Sequence, residues 1–206
     1  RYCILRFEVL AKTELPEGCY LASCNASTNW SSQIIRVTNS LQRFIDKKWL
    51  EKYHGHSKVV GVDIFPLDNV PNEQAEADVL RIAYGGLSAA AELMKRGKTL
   101  EEMEADLQSI EEYLKIKIDR NGNVVNQLMR YMDKVASLYQ GEKSEQLACM
   151  IYYGENTEKL RKREWYADTV IMPFENLQIP VPVGFKEVLT TLYGDWTERV
   201  LYTTEL

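Results

Sequence analysis

The sequence has few cysteines: only 4 occur among 206 residues, and none forms a C-x-x-C pair. Structural zinc sites need closely spaced ligand pairs, and a chain of this length can bury a sizeable core without covalent cross-links. We therefore expect reduced thiols rather than a disulfide framework or a zinc site. These thiols belong to Cys3, Cys19, Cys24 and Cys149.

Histidine is scarcer still, with His54 and His56 as the 2 members of a lone H-x-H. On a strand the two rings would share a face and could hold a metal, but no third ligand is nearby in the sequence. The polar run around them favours a solvated loop.

Long apolar runs and an excess of positive charge are also missing. No stretch reaches the roughly 18 apolar residues that a spanning helix needs, so the sequence predicts no transmembrane segment. The net charge of −5 argues against nucleic acid as the principal partner, because phosphate binding depends on clustered Lys and Arg. No signal peptide is recognisable, and the start at Arg1, without Met, indicates a processed or truncated beginning. We expect a cytoplasmic protein, for which peripheral contact with a membrane stays open.

The most informative stretch runs from Lys58 to Asp68. Its Val, Ile and Phe residues, closed by Pro66, predict a short buried β-strand. Asp63 would share one strand face with Gly61, which leaves space beside the carboxylate. A buried carboxylate needs a partner, and a divalent cation, an Arg or Lys, and backbone N–H groups are all candidates.

Three arginines are candidates for binding a substrate phosphate. Arg36 lies in the β-branched run 33–39, where it either pairs with Asp63 or another carboxylate, or forks onto a phosphate. Arg161 and Arg163 flank Lys162 in a basic cluster of an otherwise acidic chain. Such a cluster is typical of an anion site or of a solvated loop.

After Pro71 the apolar period changes from two to between three and four, which predicts helices. The first has the apolar stripe Ala75, Val79, Ile82, Gly86, Ala89 and Leu93. A capping box at Thr99 starts a second helix, and a third follows the turn at 121–123, so that these two should pack as an antiparallel hairpin.

We expect a single domain over 1–206 with an α/β fold of the α+β kind. Its parts would be a sheet portion (1–71), a helical insertion (72–140) and C-terminal strands with a helix (141–206).

Several motifs, taken in order along nearly the whole chain, resemble the LicD family. They are Glu14-Leu15-Pro16-Glu17-Gly18, Arg36-Val37-Thr38-Asn39-Ser40, Asp63-Ile64-Phe65-Pro66-Leu67-Asp68, Arg163-Glu164-Trp165-Tyr166, Pro173-Phe174-Glu175-Asn176, Ile179-Pro180-Val181-Pro182 and Leu192-Tyr193-Gly194-Asp195-Trp196. The resemblance implies a truncated nucleotidyltransferase-like fold with a small mixed sheet. It also implies a transferase that moves phosphocholine, or a similar phospho-alcohol, from a CDP-linked donor to a cell-surface glycan such as teichoic acid or lipopolysaccharide.

The same resemblance assigns chemical roles. It implies Mg²⁺, held by a D-x-D pair and by a third carboxylate that can also take the acceptor's proton; Asp63 matches that third position. The family's D-x-D strand would precede Tyr2, and Mg²⁺ prefers several oxygen ligands in octahedral array. We therefore expect the chain to be inactive alone, or, as the alternative, to be a catalytically dead binding or assembly module that keeps the fold.

Overall fold

The computed structural model describes residues 10–28, 30, 32–39, 47–52, 61–154 and 159–198. Cys3, His54 and His56 lie outside these residues. Its helices are α1 (Lys47–Lys52), α2 (Gln74–Lys95), α3 (Leu100–Leu114), α4 (Val124–Ala136), α5 (Met150–Tyr153) and α6 (Phe185–Tyr193). Its strands are β1 (Tyr20–Ala22), β2 (Ile35–Thr38), β3 (Gly61–Ile64), β4 (Asp68–Val70), β5 (Gln146–Ala148), β6 (Arg161–Lys162), β7 (Thr169–Phe174) and β8 (Leu177–Pro182). The α+β class predicted from the sequence is confirmed.

The described strands form three small antiparallel sheets rather than the one mixed sheet expected from the sequence. The first has the order β1–β2–β3, the second β4–β5–β6, and the third is the hairpin β7–β8. Between β3 and β4 lie only residues 65–67, including Pro66. Because proline has no N–H to donate to a ladder, it ends one pairing and lets the chain begin another sheet.

The main core lies among α2, α3 and α4. Its largest fully buried side chains there are Leu80, Leu87, Met103, Leu107, Leu128 and Met132. The predicted helices after residue 99 are both present, and the Thr99–Glu102 capping box is confirmed. Their principal partner, however, is α2, which packs against α4 and, less extensively, against α3. The helical unit is therefore organised around α2 instead of a self-contained hairpin.

The predicted inward face of α2 is wrong. Every residue of the predicted stripe is exposed, including Val79, Ile82 and Leu93. The core contacts come from a neighbouring face: Ala77, Leu80, Ala83, Tyr84, Leu87, Ala90 and Ala91. α2 therefore carries two apolar stripes, and the one with the larger Leu and Tyr side chains is the one that is buried.

Three of the four cysteines lie among the described residues. Cys19, Cys24 and Cys149 are free thiols, and the last two are buried. Within the described ranges, no helix is both long enough and apolar enough to cross a bilayer.

Candidate functional site

Antiparallel pairing of β2 with β3 brings Arg36 and Asp63 together, since the two residues are directly opposite in the register. Arg36 Nε donates to Asp63 Oδ1, and Arg36 Nη2 donates to Asp63 Oδ2 at 2.8 Å. The space left by Gly61 is used by the arginine: a Cβ there would lie 3.0 Å from Arg36 Cγ and 2.6 Å from the Val37 carbonyl oxygen. The ion-pair interpretation of Arg36 is therefore the one observed.

This pair lies at the surface, so the prediction of a buried strand is wrong. Among the described strands, β3 lies at the edge of its sheet, and Val62 is 67% exposed. The side chains of Arg36 and Asp63 are 33% and 32% exposed. The apolar composition that predicted burial thus reflects β-strand preference, because no described element packs over this strand as a second layer.

Mutual hydrogen bonding fixes the charge of both groups. The bond from Arg36 lowers the pKa of Asp63, and the bond to Asp63 raises the pKa of Arg36. Asp63 is therefore an ionised carboxylate at neutral pH. Exposed ion pairs contribute only about 0–1 kcal/mol to the free energy of unfolding. Either residue can therefore leave its partner, at small cost, for a ligand with the same charge sign as that partner.

Side-chain amides attach this sheet to the helical unit. Asn126, on α4, donates to the main-chain carbonyls of Cys24, Ser27 and Trp30 at 3.1, 2.9 and 2.9 Å. Gln33 Nε2 donates to a carbonyl of the same helix at 2.8 Å. The loop between β1 and β2 is thereby held on α4, which fixes the strand that carries Arg36.

Arg163 lies next to the second sheet, and its side chain forms hydrogen bonds with other residues of the chain. Its Nε donates to the Ser144 carbonyl, and its Nη2 donates to Asn69 Oδ1. Asn69 Nδ2 in turn donates to the carbonyls of Tyr139 and Glu142 at 2.8 and 3.0 Å. Arg163 therefore braces the loop that joins α4 to β5.

The outer side of Arg163 borders an open cleft of about 710 Å³. Lys143 and Lys162 contribute positive charge to its lining, and Glu145 and Glu164 contribute negative charge. Lys162 and Glu164 also approach each other, with 3.7 Å between Nζ and Oε1. The mixed charge of the lining gives this cleft no strong preference for an anion.

Arg161 is buried, which rules out the solvated-loop interpretation for this residue. Only 8% of it is exposed, and Asp68 is buried as well. Arg161 hydrogen-bonds to Tyr166, whose pKa is raised by burial and partly lowered again by that arginine. Burial likewise raises the pKa of Cys149, while the charge of Arg161 lowers this pKa and the charge of Asp68 raises it. Among the described residues, Arg161 Nε has no hydrogen-bond partner.

No local pattern in the sequence indicates this polar cluster around Arg161, which contains Asp68, Cys149 and Tyr166. Asp68 lies on β4, and α2 begins six residues later at Gln74. The missing signal is long-range: β5 and β6 bring Cys149 and Arg161 to Asp68 only after the second sheet assembles.

The tryptophans of the C-terminal motifs are packed against neighbouring elements. The Gly184 amide donates to the Trp165 carbonyl at 2.9 Å, and a Cβ at Gly184 would lie 2.5 Å from Trp165 Cβ. Trp196 lies edge-on to Phe185, with 6.4 Å between the ring centroids. These contacts support packing roles for both indoles.

The residues of the described ranges do not by themselves fit Mg²⁺. No group of three His, Cys, Asp or Glu side chains in those ranges could hold a metal ion. Asp63 offers one carboxylate, and Arg36 already donates to both of its oxygens. Since Mg²⁺ prefers near-octahedral oxygen ligands, Asp63 could only complete a site whose other ligands come from elsewhere.

Comparison of the chain with protein-family models, with curated proteins and with solved structures found no match in any of the three. The resemblance to the LicD family stays a prediction from the ordered motifs.

Proposed function

We propose that the chain is part of a LicD-type transferase, which moves phosphocholine or a similar phospho-alcohol from a CDP-linked donor to a cell-surface glycan. The ordered motifs motivate this proposal. One observation supports it above the others: the ionised Asp63 carboxylate is paired with Arg36 on a solvent-accessible edge strand. These are the two residues for which the motifs and the sequence pattern suggest carboxylate and phosphate roles.

Exchange of partners would let the pair perform the reaction. When the donor's phosphate attracts the Arg36 guanidinium, Asp63 loses the hydrogen bonds that lower its pKa. Its pKa then rises, which makes it a better proton acceptor. The acceptor hydroxyl attacks the phosphorus of the phospho-alcohol, the bond from that phosphorus to the CMP oxygen breaks, and Asp63 takes the hydroxyl proton.

Positioning and charge neutralisation dominate phosphoryl transfer. Arg36 supplies a planar fork suited to two phosphate oxygens. Mg²⁺, when bound, would neutralise further charge on those oxygens. The described residues do not hold that ion by themselves, and the role proposed here for Asp63 is proton transfer.

Arg161 and Arg163 remain secondary candidates for phosphate contact. Arg163 borders the 710 Å³ cleft, whereas Arg161 would need a local opening because it is buried. Both also stabilise the fold, so a loss of activity on their substitution has to be compared with a loss of stability. The donor is a cytosolic nucleotide in this proposal, which places the reaction in the cytoplasm.

The decisive test is CMP release from CDP-choline by the natural full-length protein, supplied with Mg²⁺ and a glycan acceptor. We expect Asp63→Asn to lower turnover by about 100-fold or more, because general bases contribute on that order. The matched control is Asp106→Asn, which removes an exposed carboxylate on α3. Wild-type turnover in Asp63→Asn would reject the role of Asp63.

A catalytically dead binding or assembly module is the second candidate. The observation that favours it is that Arg36 satisfies both oxygens of Asp63. On this alternative, the full-length protein binds CDP-choline with ordinary affinity but releases no CMP with any acceptor. Calorimetric titration alongside the turnover assay separates the two candidates.

A further inference from the structure

The exposed stripe of α2 is a second apolar face with no intramolecular role among the described residues. Val79, Ile82 and Leu93 are 51%, 56% and 40% exposed, and Gly86 and Ala89 lie between them. On a helix with about 100° per residue, these five positions lie within about 40° of one line, which extends for roughly 21 Å. Exposed apolar patches of this continuity are typical of contact surfaces.

Two adjacent glycines, Gly86 at the middle of this face and Gly85 on one flank of it, also have no explanation among the described residues. Gly85 and Gly86 lie in the interior of a 22-residue helix, where glycine is an unfavourable residue. Neither has a positive φ, and a Cβ added to either would meet no described atom within 4 Å. Close approach of another backbone is a reason for glycine, and none of the described residues of this chain makes such an approach.

The charges beside the stripe specify what can approach. Asp78 and Arg81 lie on one flank in the N-terminal half of α2, and Glu92 and Arg96 lie on the same flank near its C-terminal end. A twofold axis through Gly86 that pairs α2 with an antiparallel copy keeps this flank on the same side. Along the helix axis, it then brings Asp78 to within about 3 Å of the level of Arg96 of the second copy, and Arg81 to within about 1.5 Å of the level of Glu92.

The apolar residues fit the same twofold axis. Val79 comes opposite Leu93 of the second copy, Ile82 comes opposite Ala89, and the two Gly86 residues meet at the crossing point. Thus large side chains face the ends of the contact, and the smallest ones occupy its centre, where the helices are closest. We propose that a second copy of this chain covers this face, so that the protein forms an antiparallel α2–α2 dimer.

The contact is small, so the dimer should be weak. A single helix face lies at the low end of specific interfaces, for which a dissociation constant on the order of micromolar is expected. Sedimentation equilibrium of the purified protein between about 1 and 100 μM should therefore show a concentration-dependent monomer–dimer equilibrium. This proposal is independent of the transferase function.

Gly86→Leu is the principal variant because it separates association from folding. The monomer has room for the side chain, so its unfolding temperature should stay the same or rise. The dimer loses its crossing point, and we expect the dissociation constant to rise roughly tenfold or more because added bulk is poorly tolerated in a packed contact. Ala105→Leu, at an exposed position of α3, is the matched control and should dimerise like the wild type.

A charge exchange tests the antiparallel register. Arg96→Asp should weaken the dimer, and the double variant Asp78→Arg with Arg96→Asp should restore it. At about 100 μM a dimer with a micromolar dissociation constant would be almost fully populated. A wild-type protein that stays monomeric up to that concentration therefore overturns the proposal. Another part of the chain or a different protein then covers the face. Wild-type dimerisation of Gly86→Leu, or no rescue by the charge exchange, also overturns it.

Discussion

The first and second sheets use arginine in opposite ways. In the first sheet Arg36 pairs with Asp63 at the surface, where both side chains are about one third exposed. In the second, Arg161 is buried beside Asp68, and Arg163 holds Asn69 and the Ser144 carbonyl. A charged pair at an exposed edge can change partners at small cost. A guanidinium that donates to internal carbonyls cannot move away without leaving those carbonyls unsatisfied.

This difference separates candidates that the sequence treated alike. Arg36, Arg161 and Arg163 were all predicted phosphate contacts. Because the Arg36–Asp63 pair is exposed, Arg36 is the one of the three that can turn to a substrate at the cost of only a surface ion pair. The comparison therefore predicts that substitutions in the first sheet affect activity more than stability, and that substitutions of Arg163 affect stability first.

The largest expected effect on stability comes from Arg163→Ala. It leaves the Ser144 carbonyl and Asn69 Oδ1 without their donor, and we expect a loss of about 2–3 kcal/mol in the free energy of unfolding. Urea denaturation measures it. Lys162→Ala, one residue earlier and exposed, is the control and should change stability by less than about 0.5 kcal/mol. Equal effects of the two substitutions would contradict the bracing role.

Arg36→Ala should have a smaller effect on stability. The pair is exposed, so its loss should lower the free energy of unfolding by no more than about 1 kcal/mol. The same variant should lose turnover in the full-length protein, because Asp63 and the phosphate both lose their partner. A stability loss as large as that of Arg163→Ala would mean that the two sheets do not differ as described.

The smallest effect is the pH dependence of that contribution. The pKa of Asp63 is lowered in the folded state, so its stabilisation is present above the unfolded value of about 3.9 and disappears as pH falls through the folded value. The stability difference between wild type and Arg36→Ala should therefore be constant from pH 7 to about 5 and shrink below that. A difference that grows on acidification would contradict the assigned ion pair.

Local sequence signals predicted most of the secondary structure. The capping box at Thr99, the strand that carries Arg36, and the C-terminal strands with their helix are where the sequence analysis expected them. α6 ends at Gly194, whose φ of 69° is a conformation that glycine adopts readily. Each of these features depends on residues close together in the chain, which is why sequence reasoning could find them.

The errors concern which surface is covered. α2 has apolar residues on two faces, and period alone cannot say which face meets α4. The β-branched run before Asp63 indicates a strand, but its exposure depends on whether another layer packs over it. The site around Arg161 depends on β5 and β6 returning to β4, which no local pattern specifies.

The most direct test of partner exchange follows the side-chain N–H resonance of Arg36 while the natural full-length protein is titrated with CDP-choline. We expect this resonance to shift with the same saturation curve as donor binding. The side-chain N–H resonance of Arg163 should not shift. If the donor saturates the protein while the Arg36 resonance keeps the chemical shift that it has without donor, the proposed role of the pair is wrong.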